Sequence, residues 1–170
     1  MHNYGCVPAR PHEAPPVDFT TSLSHIGAAV DAYLLVELRK ARLHGLRKGH
    51  GYVIQRLVLG PATASEMAEL LGVTQQAVSK TVGELVALGY VRQSVDSGDR
   101  RRRPLKLTAR GRRAVDVSRA ARAALEEQIR KSAGTRRLEA AKAVAAITAD
   151  VLGLADRIET RSVQPPVERS

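Results

Sequence analysis

The stretch "TASEMAELLGVTQQAVSKTVGELVALG" (Thr63–Gly89) decides the fold. Thr63 and Glu66 stand three apart, the spacing at which an N-cap hydroxyl and a carboxylate satisfy each other's free backbone N–H groups. A short helix is expected from there to Leu71, stopped by Gly72. "GVT" is then a tight turn, and Thr74 caps a second helix from Gln75 to Leu88 that stops at Gly89. Two short helices joined by a three-residue turn containing glycine have the dimensions of a helix-turn-helix. The second helix is expected to bury Val78, Val82, Leu85 and Val86. Its other side, Gln75, Gln76, Ser79, Lys80 and Gly83, is small and polar, with hydrogen-bonding groups near the helix N-terminus.

After Gly89 the apolar period changes from helical to alternating. "YVRQSV" and "PLKL" place Val91/Val95 and Leu105/Leu107 two apart, so "DSGDRRRR" (Asp96–Arg103) becomes the tip of a hairpin. Helix returns with Thr108 as N-cap and runs to about Ser132, where Gly134 breaks it. Upstream, a helix is expected from about Ser22 to Leu43, with Leu23, Ile26, Val30, Leu34, Leu38 and Ala41 on one face. The three glycines of "HGLRKGHG" interrupt it, and a second helix is expected over Tyr52–Leu59. The last helix, about Arg136–Glu159, repeats Ala140, Val144, Ile147, Val151, Leu154 and Ile158. A second row lies beside it: Leu138, Ala141, Ala145, Leu152 and Ala155. Two apolar rows exceed what one face of a monomer needs, which points to a partner chain.

The fold class expected is mainly α with a small β-hairpin wing: a winged helix-turn-helix plus a helical dimerisation domain. The division is a Pro-rich disordered arm over 1–20 and a first helix over 21–48, to which the family resemblance given below assigns dimerisation. The winged helix-turn-helix covers 50–111, with its wing at 90–107. C-terminal dimerisation helices occupy 109–160, and a flexible tail 161–170.

Composition agrees. In 170 residues, 44% apolar and 26% charged residues make a globular chain able to bury a core. Aromatics are only 3%, which argues against stacking platforms for single-stranded nucleic acid. The formal charge is +10, and residues 90–113 hold nine Lys/Arg against two Asp. So concentrated a basic patch points to a polyanion. Cys6 stands alone, which excludes an intramolecular disulfide and a cysteine-rich metal site. The first twenty residues carry Pro8, Pro11, Pro15 and Pro16 and lack the apolar core of a signal peptide. No segment has the run of about 18 apolar residues that spans a membrane. A cytoplasmic protein without membrane partner is expected. Nothing calls for a cofactor or metal: the five histidines (His2, His12, His25, His44, His50) lack ligand spacing, and no phosphate loop or nucleophile–base pair marks an enzyme.

The stretch Gly60–Gly111 resembles the MarR family of winged helix-turn-helix transcriptional regulators. The family's wing pattern, Asp-x-Arg followed by Leu-Thr and then x-x-Gly, falls on Asp99, Arg101, Leu107-Thr108 and Gly111. The resemblance implies a two-fold homodimer whose base is made by the first and last two helices, with a winged helix at each DNA-binding corner. It implies transcriptional repression, often of the protein's own operon, and release of DNA when an aromatic or lipophilic small molecule, or an oxidant, arrives. Ligands of the family often sit where the dimer base meets the winged domain, which here selects Tyr33, His44, Arg47, His50 and Tyr52. Arg47 or a histidine could meet a carboxylate or phenolate; solvated loop histidines and a core Tyr52 are the ordinary alternative.

On this reading the helix from Gln75 enters the major groove. Gln75 and Gln76 can bond adenine, Ser79 a base edge or phosphate, and Lys80 phosphate or guanine. Ser65, at the start of the preceding helix, could donate to phosphate. In the wing, a carboxylate beside a polyanion costs binding, so Asp99 needs a reason. It can hold Arg101 through two parallel bonds, and Arg101 then enters the narrow minor groove. Arg100, Arg102 and Arg103 read as phosphate contacts. The plainer alternative for both surfaces is a solvated charged face. Cys6 allows an oxidant-sensing regulator, although no second cysteine is present to resolve it. A general DNA-coating protein or a helical adaptor would share the same fold.

Overall fold

The computed structural model describes residues 17–94 and 103–154. The chain runs α1 (Phe19–Lys40), α2 (Lys48–Val58), α3 (Ala64–Leu71), α4 (Gln75–Ala87), β1 (Val91–Gln93), β2 (Leu105–Leu107), α5 (Ala109–Ala133) and α6 (Thr135–Val151). The mainly helical class with a small hairpin wing is as the sequence implies.

Helix α1 begins before Ser22, because Asp18 caps it: its carboxylate accepts from the Thr21 amide at 2.8 Å and from the Thr20 hydroxyl at 2.6 Å. Those hydroxyl and amide bonds hold Asp18 well below the usual carboxylate range, the Thr20 hydroxyl contributing most. Phe19 and Thr20 therefore belong to the helix rather than to an N-terminal arm. The helix also ends before Leu43. Arg42 adopts φ 62°, and the amide of Leu43 turns back to the carbonyl of Leu38 at 2.9 Å. That turn drives Leu43 into the core beside Leu38.

Helix α2 starts at Lys48, ahead of Tyr52, and so takes Gly49 and Gly51 into its first turn. Glycines weaken a helix by only about 1 kcal/mol each, and a long-range anchor described below offsets that. The α3–α4 unit matches the reading of Thr63–Gly89. Thr63 and Glu66 exchange their two bonds at 3.2 and 2.7 Å. Gly72 turns with φ 61°, and the Thr74 hydroxyl accepts from the Ala77 amide at 3.2 Å. Val78, Val82 and Leu85 are buried, but Val86 is exposed rather than core. One residue beyond Leu85 rotates it by about 100° onto the outer face.

Strands β1 and β2 pair antiparallel with Val91 opposite Leu107 and Gln93 opposite Leu105. Ala62 adds a one-residue third strand: its carbonyl accepts from the Leu105 amide at 2.8 Å. Sequence patterning gave no sign of that strand. Met67, Leu85, Tyr90 and Leu105 are the fully buried centre of the core, to which α1 adds Leu38 and α5 adds Ala114 and Val115.

Helix α5 is capped by Thr108 as expected, and its hydroxyl also donates to the Gly89 carbonyl at 2.7 Å. The first turn of α5 lies against the Tyr90 carbonyl so closely that a Cβ on Gly111 would sit 2.2 Å from that oxygen. The glycine after Leu-Thr is thus required by contact between the start of α5 and the end of β1.

Helix α6 stops at Val151 instead of running to Glu159. Gly153 takes φ 65°, and the Leu154 amide bonds back to the Ala149 carbonyl. Residues 155–159 lie outside the described residues, as do Cys6 and Val95.

Candidate nucleic-acid interface

The exposed face of α4 follows from its caps and its core face. Once Val78, Val82 and Leu85 point inward, Gln75, Gln76, Ser79, Lys80 and Gly83 point outward together, and all are exposed. Ser65 is exposed in the first turn of α3. Thr74 is committed to capping α4, so its hydroxyl is already engaged with the Ala77 amide. Nothing lies within 4 Å of where a Gly83 Cβ would be, which leaves the middle of the face flat and open.

Beside this face stands the hairpin. Its legs extend past the named strands, since the Ser94 amide and hydroxyl donate to the Pro104 carbonyl at 2.9 and 3.1 Å. Arg103 is exposed where the second leg begins. Asp99, Arg100, Arg101 and Arg102 lie outside the described residues.

The structure divides the rest of the basic run. Arg110 lies over the Tyr90 ring, 4.7 Å from its centroid, and Arg112 donates to the Leu107 carbonyl at 3.0 Å. Those two serve the junction of hairpin and α5. Arg92 and Lys106 face each other directly across the strands, an arrangement disfavoured for like charges unless an anion is near. They line a cleft of about 370 Å³ at the hairpin base, together with Arg119, the carboxylate Asp116 and the apolar Leu57 and Pro61. The sequence reading assigned this pair no role; knowledge of the strand register would have found it.

A larger cleft, about 1060 Å³, lies between α1, α2 and α5. Of the five residues that the resemblance selects for an effector, Arg47, His50 and Tyr52 line it. Tyr33 and His44 do not line it. Tyr33 directs its hydroxyl to the Ala121 carbonyl at 3.5 Å, and the His44 carbonyl accepts from the Tyr90 hydroxyl at 2.9 Å. The lining is apolar through Leu34, Leu38 and Ile54 and cationic through Arg47, Lys48, Arg119 and Arg122, with Asp31 among them. Lys48 is paired with Asp31 at 2.8 Å, a bond that raises its pKa.

His50 is 2% exposed and serves as a bracket. Its Nδ1 accepts from the Arg47 amide at 3.2 Å, so the proton sits on Nε2, which donates to the Glu84 carboxylate at 2.8 Å. Burial, and then the nearby Arg47 cation, push His50 below its ordinary pKa. The Arg47 guanidinium also rests on Glu84. This is the anchor that starts α2 ahead of its two glycines. Glu84 was missed from the sequence, yet a signal existed: it is the one acid in α4, and an acid there needs the same explanation as Asp99.

No three or more His, Cys, Asp or Glu among the described residues are grouped to hold a metal ion. No helix among them is long and apolar enough to cross a membrane.

A capped helix-turn-helix flanked by a two-stranded basic hairpin and followed by a long helix defines a winged-helix fold. Residues 44–102 match the model of the MarR family, and the chain has the winged-helix fold of MarR-family transcription regulators. No curated protein matches the chain significantly. Among solved structures, a transcriptional regulator of Thermotoga maritima is 24% identical at a TM-score of 0.55, covering 84% of this chain and 96% of its own. The reduced form of MarR from E. coli superposes at a TM-score of 0.62 with 16% identity, over 78% of this chain and 96% of that one. A mutant MepR of S. aureus, bound to an oligodeoxyribonucleotide, gives a TM-score of 0.58 at 18% identity, over 80% and 99%. At such identities these structures speak for the fold.

Proposed function

We propose that this protein is a cytoplasmic, sequence-specific regulator of transcription and not an enzyme. In this reading it is a homodimeric repressor that binds a pseudo-palindromic operator in double-stranded DNA. The observation that carries the proposal is the polar face of α4, Gln75, Gln76, Ser79 and Lys80, exposed as one surface beside the basic hairpin. The two glutamines read base edges, Lys80 and Ser65 hold phosphate, and Thr74 orients the helix. Arg101 enters the minor groove braced by Asp99, while Arg100, Arg102 and Arg103 neutralise phosphates.

The dimer is supported by apolar surface that one chain leaves uncovered. On α6, Val144, Ile147 and Val151 are 44%, 61% and 80% exposed, and on α1 Ile26 is 58% exposed. Monomeric proteins rarely leave so much aliphatic surface along one helix as α6 does. A second copy would cover it, setting two recognition helices about one helical turn apart on DNA. The α1–α2–α5 cleft is the effector site of this reading. Its apolar walls and cationic Arg47, Arg119 and Arg122 suit a small lipophilic or aromatic anion.

The test is affinity for the protein's own promoter against random DNA of equal length, measured over a range of salt. A specific regulator discriminates by about 10³-fold or more and loses affinity steeply with salt. A ratio near one would favour a general DNA-coating protein. Arg101→Ala should weaken promoter binding by about 1–3 kcal/mol; unchanged affinity in a folded variant removes the minor-groove role. An oxidant-sensing regulator is tested separately by Cys6→Ser, which would have to abolish a peroxide response.

A further inference from the structure

The loop joining α1 and α2, with the first turn of α2, meets the C-terminal end of α4 and the residues just beyond it in three ways. Arg47 and His50 both hold the carboxylate of Glu84. Gly45, with φ +83°, lies so close to Leu88 that a Cβ would stand 2.6 Å from its side chain. Just beyond α4, the Tyr90 hydroxyl donates to the His44 carbonyl at 2.9 Å. Helix α4 is thus gripped on one flank by the α1–α2 loop and the first turn of α2, and Glu84 is the charged centre of the grip.

Glu84 is badly placed for a simple surface acid. It rides on the helix that would face a polyanion, where an unpaired carboxylate repels phosphate. Here it is paired with Arg47 and joined to a histidine that is itself buried. A buried donor with fixed tautomer cannot follow the helix if the helix turns, so the pair sets the rotation of α4 about its own axis. Arg47 and His50 also line the large cleft. The side chains that hold the recognition helix are therefore shared with the site assigned to an effector.

We propose that Glu84, held by Arg47 and His50, is a positioning residue that fixes the recognition helix in its DNA-reading orientation. This rests on the DNA-binding reading of α4. The sign of its effect separates it from ordinary electrostatics. Neutralising a mere surface acid near DNA strengthens binding, whereas releasing a helix clamp weakens it.

The experiment measures promoter affinity of the full chain and its Glu84→Gln, Arg47→Gln and doubly substituted variants, at several salt concentrations. The clamp predicts that Glu84→Gln weakens binding about ten-fold, with the double variant no weaker than either single one. The salt dependence should stay parallel to wild type, because no phosphate contact is lost. Equal or tighter binding by Glu84→Gln overturns the proposal. So does a strictly additive double variant, or a salt slope lower by about one in Arg47→Gln, which would make Arg47 a phosphate contact. Hydrogen exchange without DNA supplies a readout independent of the DNA reading. Faster exchange across the C-terminal half of α4 in Glu84→Gln, with global unfolding little changed, supports the clamp; unchanged exchange there overturns it. Wild-type protein that fails to bind its promoter would overturn the DNA reading instead, and the exchange data would still decide the clamp.

Discussion

The winged region and the helical base of this chain bury their apolar residues to very different degrees. Between Val53 and Val115, short helices and a hairpin close a core in which Met67, Leu85 and Tyr90 have no exposed surface. In α6, Leu138 is the one buried residue of seventeen, while Val144, Ile147 and Val151 face outward. The winged region has what it needs within one chain. The base carries the same kind of residues at the same helical spacing but lacks the surface to set them against. Apolar periodicity reports that a face will be covered; it does not report by which molecule.

The largest effect should come from attacking the base. Ile147→Asp places a charge on the proposed interface, so sedimentation should move from dimer to monomer while helical content persists. Operator affinity should then fall by roughly 10²–10⁴-fold, because the two half-sites no longer bind as a unit. A variant that stays dimeric would show that α6 is not the seam, and the contrast between the regions would need another cause.

The winged region should instead be sensitive to packing. Gly111→Ala forces a methyl group against the Tyr90 carbonyl, a backbone atom that cannot swing aside. We expect a loss of about 3 kcal/mol in unfolding free energy, measured by denaturant titration. A loss under about 0.5 kcal/mol would mean that β1 and α5 are less tightly joined than the geometry indicates.

A smaller change lies where the two regions meet. Arg42 holds a left-handed conformation in the turn after α1, with φ 62°. Arg42→Gly should relieve that strain and stabilise the chain by about 1 kcal/mol, seen as a higher Tm. Destabilisation would assign the arginine side chain a contact that outweighs its backbone cost.

The smallest effect concerns pH. Burial and the Arg47 cation hold the folded pKa of His50 below its ordinary 6.5. As pH falls below that value the unfolded chain takes up a proton that the folded chain refuses. The contribution of neutral His50 is therefore present above the ordinary pKa and lost as pH drops toward the folded one. The Tm of wild type should fall more steeply below pH 6.5 than that of His50→Gln. Parallel curves would show that Glu84 offsets the burial and that the ring protonates without cost.

Much of the winged region was legible because its punctuation is local. Thr63 with Glu66, Gly72, Thr74 and Thr108 act on groups within three or four residues, so their spacing in the sequence is their geometry. The outward set Gln75, Gln76, Ser79 and Lys80 followed from the core positions of the same helix. Val86 was misplaced because an apolar residue adjacent to a core position can fall on either side of the boundary. Helix starts were missed where the cap or anchor was unusual: Asp18 ahead of α1, and Arg47 with His50 ahead of α2.

By itself, then, the sequence determined the helix-turn-helix, the hairpin that follows it, and the apolar stripes of the long helices. These depend on bonds and periods that repeat within a few residues. Only the tertiary structure decided that Gly111 must lack a side chain against Tyr90, that Ala62 adds a strand to Leu105, and that Glu84 answers to Arg47 and His50. Each of those joins residues twenty-one or more positions apart, from Gly111 and Tyr90 at the near end to Ala62 and Leu105 at the far one. No local spacing encodes such a meeting, because it exists only once the core has drawn the elements together.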